Sequence, residues 1–302
     1  MQKRVFLVGA MKAGTTTLHD YLVQHEQVFT PSIKEPQYIS WTTRFDGDFS
    51  VAERSSLRQA KSVIPIRDTI DYEKLYQDAR LNQYILDSSV FNLPHPPAAS
   101  FIKNNYPNAK IIIILRDMVD RAFSSFTFQK SKGAERAETF SLAVTEELMG
   151  KRDNMIYPWR NIYCSRYKQQ IIRYMELFNE NLLILKFDDL VTDPNKVMAD
   201  VYEHLELDYS PLSVNISNRT MAPPKNRFNS NLSQLIYTPN IYKDSIKKFF
   251  PSKIRKISSS YIKKNIRRTN KEILSYDEKS KLKEIFFEDE MFLKEQFGIS
   301  WV

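Results

Sequence analysis

The sequence predicts an α/β fold with a central parallel sheet flanked by helices. Three observations carry that expectation. Val5-Phe6-Leu7-Val8 is a short β-branched and aromatic run that ends at Gly9 and leads through small residues into a helical pattern. Lys110-Ile111-Ile112-Ile113-Ile114-Leu115 is apolar without alternation, as suits a strand covered on both faces of a parallel sheet. Leu182 to Phe187 repeats that character, and helical stretches separate the three runs, which is the pattern of a parallel α/β sheet.

The elements follow in order. Leu18, Tyr21 and Leu22 share a helical face, so a helix begins near Thr15. Residues 31–36 read as a loop, and residues 44–80 as helices with loops. Tyr84-Ile85-Leu86-Asp87 is a short strand, Asn92 to Pro97 a proline-rich loop, and Ala98 to Asn105 a helix. Val119 to Gln129 and the amphipathic stretch Ile162 to Phe178 read as helices, as does Asn195 to Leu205. Residues 133–159 are taken as a loop and Ser210 to Thr238 as loop-like; Tyr276 to Phe297 reads as one amphipathic helix. With no internal repeat or dividing linker, residues 1–302 are expected to form a single domain.

Bulk properties narrow the functional classes. The 302 residues are 42% hydrophobic, 26% charged and 13% aromatic, which argues for a packed core and against disorder. One cysteine, Cys164, rules out an intramolecular disulfide, reads as a packed thiol and fits a cytoplasmic location. The four histidines, His19, His25, His95 and His204, do not pair at metal-ligand spacing, so no metal is expected. No run of eighteen apolar residues is present, and Val5–Val8 is too short for a signal core, so neither a membrane span nor a signal peptide is expected. The net charge is +8, with many cations between Lys243 and Lys271. That segment reads either as a solvated helical face or as a surface for an anionic partner. No aromatic-basic RNA motif or helix-turn-helix accompanies it, so nucleic acid is not expected. Nothing in the pattern sets an oligomeric state.

Two segments carry chemistry. Gly9-Ala10-Met11-Lys12-Ala13-Gly14-Thr15-Thr16-Thr17 joins a strand to a helix, a junction that aims backbone amides and a helix N-terminus at an anion. It is P-loop-like, since Gly9 and Gly14 keep the Walker A spacing. The lysine, however, stands at position 12, and Thr15 occupies the place of the Walker lysine. A nucleotide kinase relies on the lysine after the second glycine, so the displacement argues against one. The second segment is Arg116-Asp117-Met118-Val119-Asp120-Arg121-Ala122-Phe123-Ser124, directly after the strongest strand. Open α/β sheets bind ligands at that edge. Arg116 and Ser124 there suit a second phosphate. Two clamps match a nucleotide with phosphates at both ends.

With these motifs in place, the chain resembles the 3′-phosphoadenylyl-sulfate-dependent sulfotransferases. It is more similar to the heparan-type glucosaminyl N- and 3-O-sulfotransferases and their bacterial relatives than to the phenol and steroid enzymes. Lys34-Glu35-Pro36, Leu183 to Pro194 and a closing helix ending at Trp301 extend the likeness. The resemblance implies transfer of a sulfuryl group to a hydroxyl or amine, with adenosine 3′,5′-bisphosphate as product and no metal. It implies that Lys12, Ala13, Gly14, Thr15, Thr16 and Thr17 hold the 5′-phosphosulfate and that Arg116 and Ser124 hold the 3′-phosphate. Lys225-Asn226-Arg227 is the segment to close over the nucleotide. Sulfuryl transfer needs a cation on the leaving phosphate, which is the part for Lys12, and a base for the acceptor proton. By the resemblance the base is Glu35; competing bases are His19, His25, His95 and Asp87. Lys34, Asp87, Ser88 and His95 are candidates for the acceptor side. The heparan-type enzymes carry Glu-Lys-Ser/Thr where this chain has Asp87-Ser88-Ser89, so the acceptor need not be an acidic glycosaminoglycan. A carbohydrate and a small natural product both remain open as partners. A nucleoside triphosphatase and a non-catalytic polyanion-binding module are the alternatives.

Overall fold

The computed structural model describes residues 3–43, 66, 68–212 and 274–301. Lys225, Asn226, Arg227 and the basic segment Lys243–Lys271 lie outside the described residues, as does most of the stretch 44–69.

Among the described residues five strands form one sheet: β1 (Arg4–Gly9), β2 (Val28–Phe29), β3 (Tyr84–Asp87), β4 (Lys110–Leu115) and β5 (Leu182–Lys186). Their order is β2-β3-β1-β4-β5, and every adjacent pair is parallel. Strand β1 is buried along its whole length, and so is β4 from Ile111 onward. Successive side chains point to opposite faces of a strand. Accordingly Phe6, Val8, Ile111, Ile113 and Leu115 enter one apolar layer, while Val5, Leu7, Ile112 and Ile114 enter the other.

Among the described residues the helices are α1 (Thr15–Leu22), α2 (Tyr38–Thr42), α3 (Thr69–Lys74), α4 (Ala98–Asn105), α5 (Met118–Ser131), α6 (Phe140–Leu148), α7 (Tyr167–Phe178), α8 (Phe187–Thr192), α9 (Pro194–His204), α10 (Tyr276–Ile285) and α11 (Phe287–Phe297). The first layer packs under α4, α5 and α7 through Ile102, Ala122, Phe126, Ile171 and Tyr174. The second packs under α1 and α9 through Leu18, Tyr21, Leu22, Val197 and Val201. No helix is long and apolar enough to cross a membrane among the described residues.

Four departures from the sequence reading have physical causes. The stretch Ile162–Phe178 is not one helix: a 3₁₀ turn at Tyr163–Ser165 precedes α7. The Glu147 carboxylate takes the backbone N–H groups of Ile162 and Tyr163 at 2.9 and 2.7 Å, and Ser165 Oγ donates to the Met118 carbonyl at 2.9 Å. These tertiary bonds pin the turn at residues 162–165 to α6 and α5. Residues 276–297 form two helices, because Phe286 turns into the main core and is 1% exposed. The second of these ends at Phe297, with Gly298 in the left-handed region at φ 66°, so Trp301 follows the helix rather than closing it. Residues 133–159 are not all loop: α6 stands inside them, capped by Thr139, whose hydroxyl accepts from Leu142 N–H at 3.2 Å. Strand β2 has only two residues, too short to leave a period-2 signal.

The strand order decides where a ligand can enter. The chain leaving β1 goes to β2 on one side of the sheet, and the chain leaving β4 goes to β5 on the other. A crevice therefore opens between the C-terminal ends of β1 and β4. Register confirms that the two ends are side by side: Gly9 pairs with Ile113, and Ala10 N–H donates to the Ile114 carbonyl at 2.8 Å.

Ile113 is fully buried at the centre of β4. Ile113→Ala is expected to cost about 2–5 kcal/mol through lost burial and the cavity left behind. Urea unfolding followed by circular dichroism measures it.

Candidate active site

The residues after β1 form the floor of this crevice. Gly9 lies against Leu93, and a Cβ on it would stand 2.7 Å from Leu93 Cβ. Gly14 has φ +89°, and a Cβ there would come within 2.5 Å of the Phe187 ring. Both positions therefore require glycine, for space at one and for space and backbone conformation at the other. Among the described residues no side chain caps the first turn of α1, so its amides face the crevice as an anion-seeking end.

Lys12 leaves this loop from a left-handed backbone, φ 68°. Its ammonium lies 3.8 Å from the centre of the Phe128 ring on α5, and it makes no ion pair among the described residues. Burial pushes its pKa down to about 8, and the positive charges of Lys132, Arg116 and Arg121 push in the same direction, against the pull of Glu35.

The second wall comes from the residues after β4. Arg116 is partly exposed; its guanidinium stands 5.2 Å from the Phe187 ring centre and 3.6 Å from Asp120. Its carbonyl accepts from Tyr167 Oη at 3.0 Å. Asp117 caps α5 by accepting from Asp120 N–H at 2.8 Å. Ser124 is half-buried two turns along the same helix. One ring, Phe187 at the start of α8, thus packs on Gly14 and underlies Arg116.

The third wall is the loop before α2. Lys34 donates to Thr16 Oγ1 at 2.9 Å and lies 3.5 Å from Glu35 Oε1. Gln37 Nε2 donates to Glu35 Oε2 at 3.1 Å, and Gln37 N–H donates to Ser89 Oγ at 2.9 Å. Glu35 is therefore held over α1 by the loop's own side chains and by the end of β3.

Asp87 and Ser88 are enclosed. Asp87 accepts from Tyr72 Oη at 2.7 Å and from Ser89 N–H at 2.8 Å; burial raises its pKa, and those bonds work against the rise. Ser88 Oγ meets His19 Nδ1 at 2.8 Å. Burial, with Lys34 nearby, lowers the His19 pKa to about 4, which keeps the ring neutral at pH 7. His95 is also buried, its two nitrogens at 2.7 Å from Tyr157 Oη and from Thr43 Oγ1. His25 Nε2 meets the Asp208 carbonyl at 3.1 Å. Cys164 is buried and its thiol is pushed up to about 12, so it stays protonated.

The crevice thus gathers Lys12, the first turn of α1, Arg116, Lys34 and Glu35. Sequence reasoning passed over four residues here: Phe128, Lys132, Phe187 and Arg121. Phe187 had a signal, because it follows β5 as Arg116 follows β4. Arg121 is fully buried on α5, donating to Ser165 Oγ at 2.5 Å and to the Asn161 carbonyl.

Residues 4–211 match the model of a sulfotransferase family. The chain belongs to the sulfotransferase family. It is 26% identical over 256 residues to carbohydrate sulfotransferase 15 of Mus musculus, an alignment covering 69% of this chain and 44% of that protein. It is 25% identical over 207 residues to the mouse bifunctional heparan sulfate N-deacetylase/N-sulfotransferase 4, covering 67% of this chain and 22% of that one. The chain therefore spans less than half the length of these relatives. A solved sulfotransferase from Alicyclobacillus acidocaldarius superposes with a TM-score of 0.72 at 22% identity, over 100% of this chain and 98% of that one, and shares its fold.

The lowered Lys12 pKa sets a pH dependence for the stability of this chain. Below pH 8 the ammonium is charged in both folded and unfolded chains. Between about 8 and the ordinary 10.5 the folded protein sheds a proton that the unfolded chain keeps, so stability rises with pH across that window. Lys12→Met is expected to be more stable than wild type at pH 7 and to flatten the rise. Urea unfolding of both proteins at pH 7 and pH 10 measures the difference.

Proposed function

We propose that the chain transfers the sulfuryl group of 3′-phosphoadenylyl sulfate to a hydroxyl or amine of a carbohydrate or small natural-product acceptor, releasing adenosine 3′,5′-bisphosphate. The observation that carries this is the pairing of two anion-seeking ends at the β1–β4 crevice, Lys12 with the α1 N-terminus on one side and Arg116 with Ser124 on the other. The residues fit a nucleotide with a phosphate at each end. The Gly14 position has no room for a Cβ, and Lys12 makes no ion pair among the described residues, with Glu35 acting on it only from a distance.

In this reading Lys12 and the amides of Ala13 to Thr17 hold the 5′-phosphosulfate, and Arg116 and Ser124 hold the 3′-phosphate. Lys225-Asn226-Arg227 contributes a further nucleotide contact. Lys12 neutralises the charge that grows on the leaving phosphate, an effect on the order of 10²–10³ in rate. Glu35 accepts the acceptor's proton, and Lys34 and Gln37 hold its carboxylate in place. His19 stays neutral and joins α1 to Ser88; Asp87 fixes Ser89 and through it the Glu35 loop. These two and His95 support the acceptor side by positioning.

Calorimetric titration with adenosine 3′,5′-bisphosphate in metal-free buffer tests the donor site. Wild type is expected to bind, and Arg116→Ala to bind on the order of 10²-fold more weakly, since a charged contact is lost. Folded wild-type protein that does not bind would sink the reading. Glu35→Gln is expected to keep bisphosphate binding within about threefold and to lower turnover of any accepted substrate by about 10²–10⁴.

A further inference from the structure

Helix α5 (Met118–Ser131), capped by Asp117 beside Arg116 at one end and by Lys132 at the other, is about 21 Å long at 1.5 Å per residue. Its two ends therefore stand at different ends of the crevice. Lys132 is the C-cap residue, half-buried, and its ammonium lies 4.2 Å from the centre of the Phe128 ring. The Lys12 ammonium lies 3.8 Å from the centre of that same ring. Two ammonium groups thus share one aromatic ring, and neither makes an ion pair among the described residues. Like charges so placed repel one another, and an anion between them relieves the repulsion.

The surrounding charges say which part of the anion this is. Lys12 feels Lys132, Arg116 and Arg121 on the cationic side and Glu35 on the other. Lys132 loses basicity to burial, and Glu35 acts against that loss. Lys132 closes the end of α5 farthest from Arg116, and Glu35 acts on both lysines that share the Phe128 ring. In the proposed reaction Lys12 stands at the leaving phosphate and Glu35 at the acceptor proton. The group that passes between those two points is the sulfuryl group.

We propose that the Lys132 ammonium donates a hydrogen bond to a non-bridging oxygen of the sulfuryl group, holding it in line between Lys12 and Glu35. This rests on the donor reading above. In the step, the bond from sulfur to the phosphate oxygen breaks and its electron pair stays on the phosphate. The acceptor oxygen or nitrogen forms the new bond to sulfur, its proton goes to Glu35, and Lys132 keeps all its protons. Lys132 thereby contacts the one part of the donor that the product lacks.

That difference gives a test without an acceptor. The phosphosulfate of the donor and the 5′-phosphate of the product each carry about two negative charges at neutral pH, so a difference in affinity reports the sulfuryl contact rather than net charge. 3′-Phosphoadenylyl sulfate and adenosine 3′,5′-bisphosphate are titrated separately into wild type, Lys132→Gln and Lys132→Arg, with circular dichroism to confirm folding. Wild type is expected to bind the donor about tenfold more tightly than the bisphosphate. Lys132→Gln is expected to keep bisphosphate affinity within about threefold and to lose the preference, and Lys132→Arg to retain most of it. A preference that survives in Lys132→Gln overturns the proposal, as it places Lys132 on the acceptor or on solvent. So does a parallel loss of bisphosphate affinity, or a wild type that binds both equally. Wild type that binds neither overturns the donor reading itself, and this proposal with it. If Lys132→Gln does not fold, Lys132→Ala replaces it with the same expected loss of the preference at unchanged bisphosphate affinity; a preference that survives in Lys132→Ala, or no preference in wild type, overturns the proposal.

Discussion

The contact between Gly14 and the Phe187 ring sets the geometry on which the rest of the crevice depends. The ring occupies the space a Cβ would need, which forces a glycine in a left-handed conformation at the head of α1. The same ring lies under the Arg116 guanidinium. Phe187 stands at the end of β5, Gly14 follows β1 and Arg116 follows β4, so three parallel strands meet on one side chain. A shift of α8 would therefore move both phosphate-seeking ends together. The fold couples them through packing, without an ion pair between them.

A second constraint is electrostatic. The site holds Lys12, Lys132, Arg116 and Arg121 close enough that burial and mutual repulsion lower the basicity of Lys12. Arg121 Nη1 is buried with no hydrogen-bond partner among the described residues. Such an arrangement is costly to the free protein. An anionic ligand relieves that cost, so part of the folding energy forgone here returns as binding. Sites that work by preorganised charge show this pattern, in which the ligand completes a set of groups that are unfavourable alone. Glu35 is the counterweight, since it supports the protonated form of both Lys12 and Lys132.

The third wall works by hydrogen bonds instead of charge. Asp87, Ser88 and Ser89 at the end of β3 engage Tyr72, His19 and Gln37, and so tie α3, α1 and the Glu35 loop to the sheet. The resemblance made Asp87 and Ser88 candidates for the acceptor side. Both are buried and bonded to Tyr72 and His19 within the fold.

The family was legible in the chain, and so were the two segments proposed to hold the nucleotide, because they rest on local patterns. A glycine-bounded loop after a short apolar strand, and an arginine after a run of isoleucines, need no knowledge of distant residues. Most strands and helices were legible for the same reason, since burial on both faces leaves unbroken apolar runs and helical faces leave a period. The tertiary structure alone decided the break before Tyr167, where Glu147 takes two amides, and the break at Phe286, where the core draws in a side chain. It alone brought Lys132 and Lys12 onto Phe128, and Phe187 onto Gly14. These pairs are separated by 120 and 173 positions, and no periodicity or motif links them. What local sequence determines is the conformation of a segment and the chemistry it carries. Which charges and rings come to share one space is set by the order of strands in the sheet.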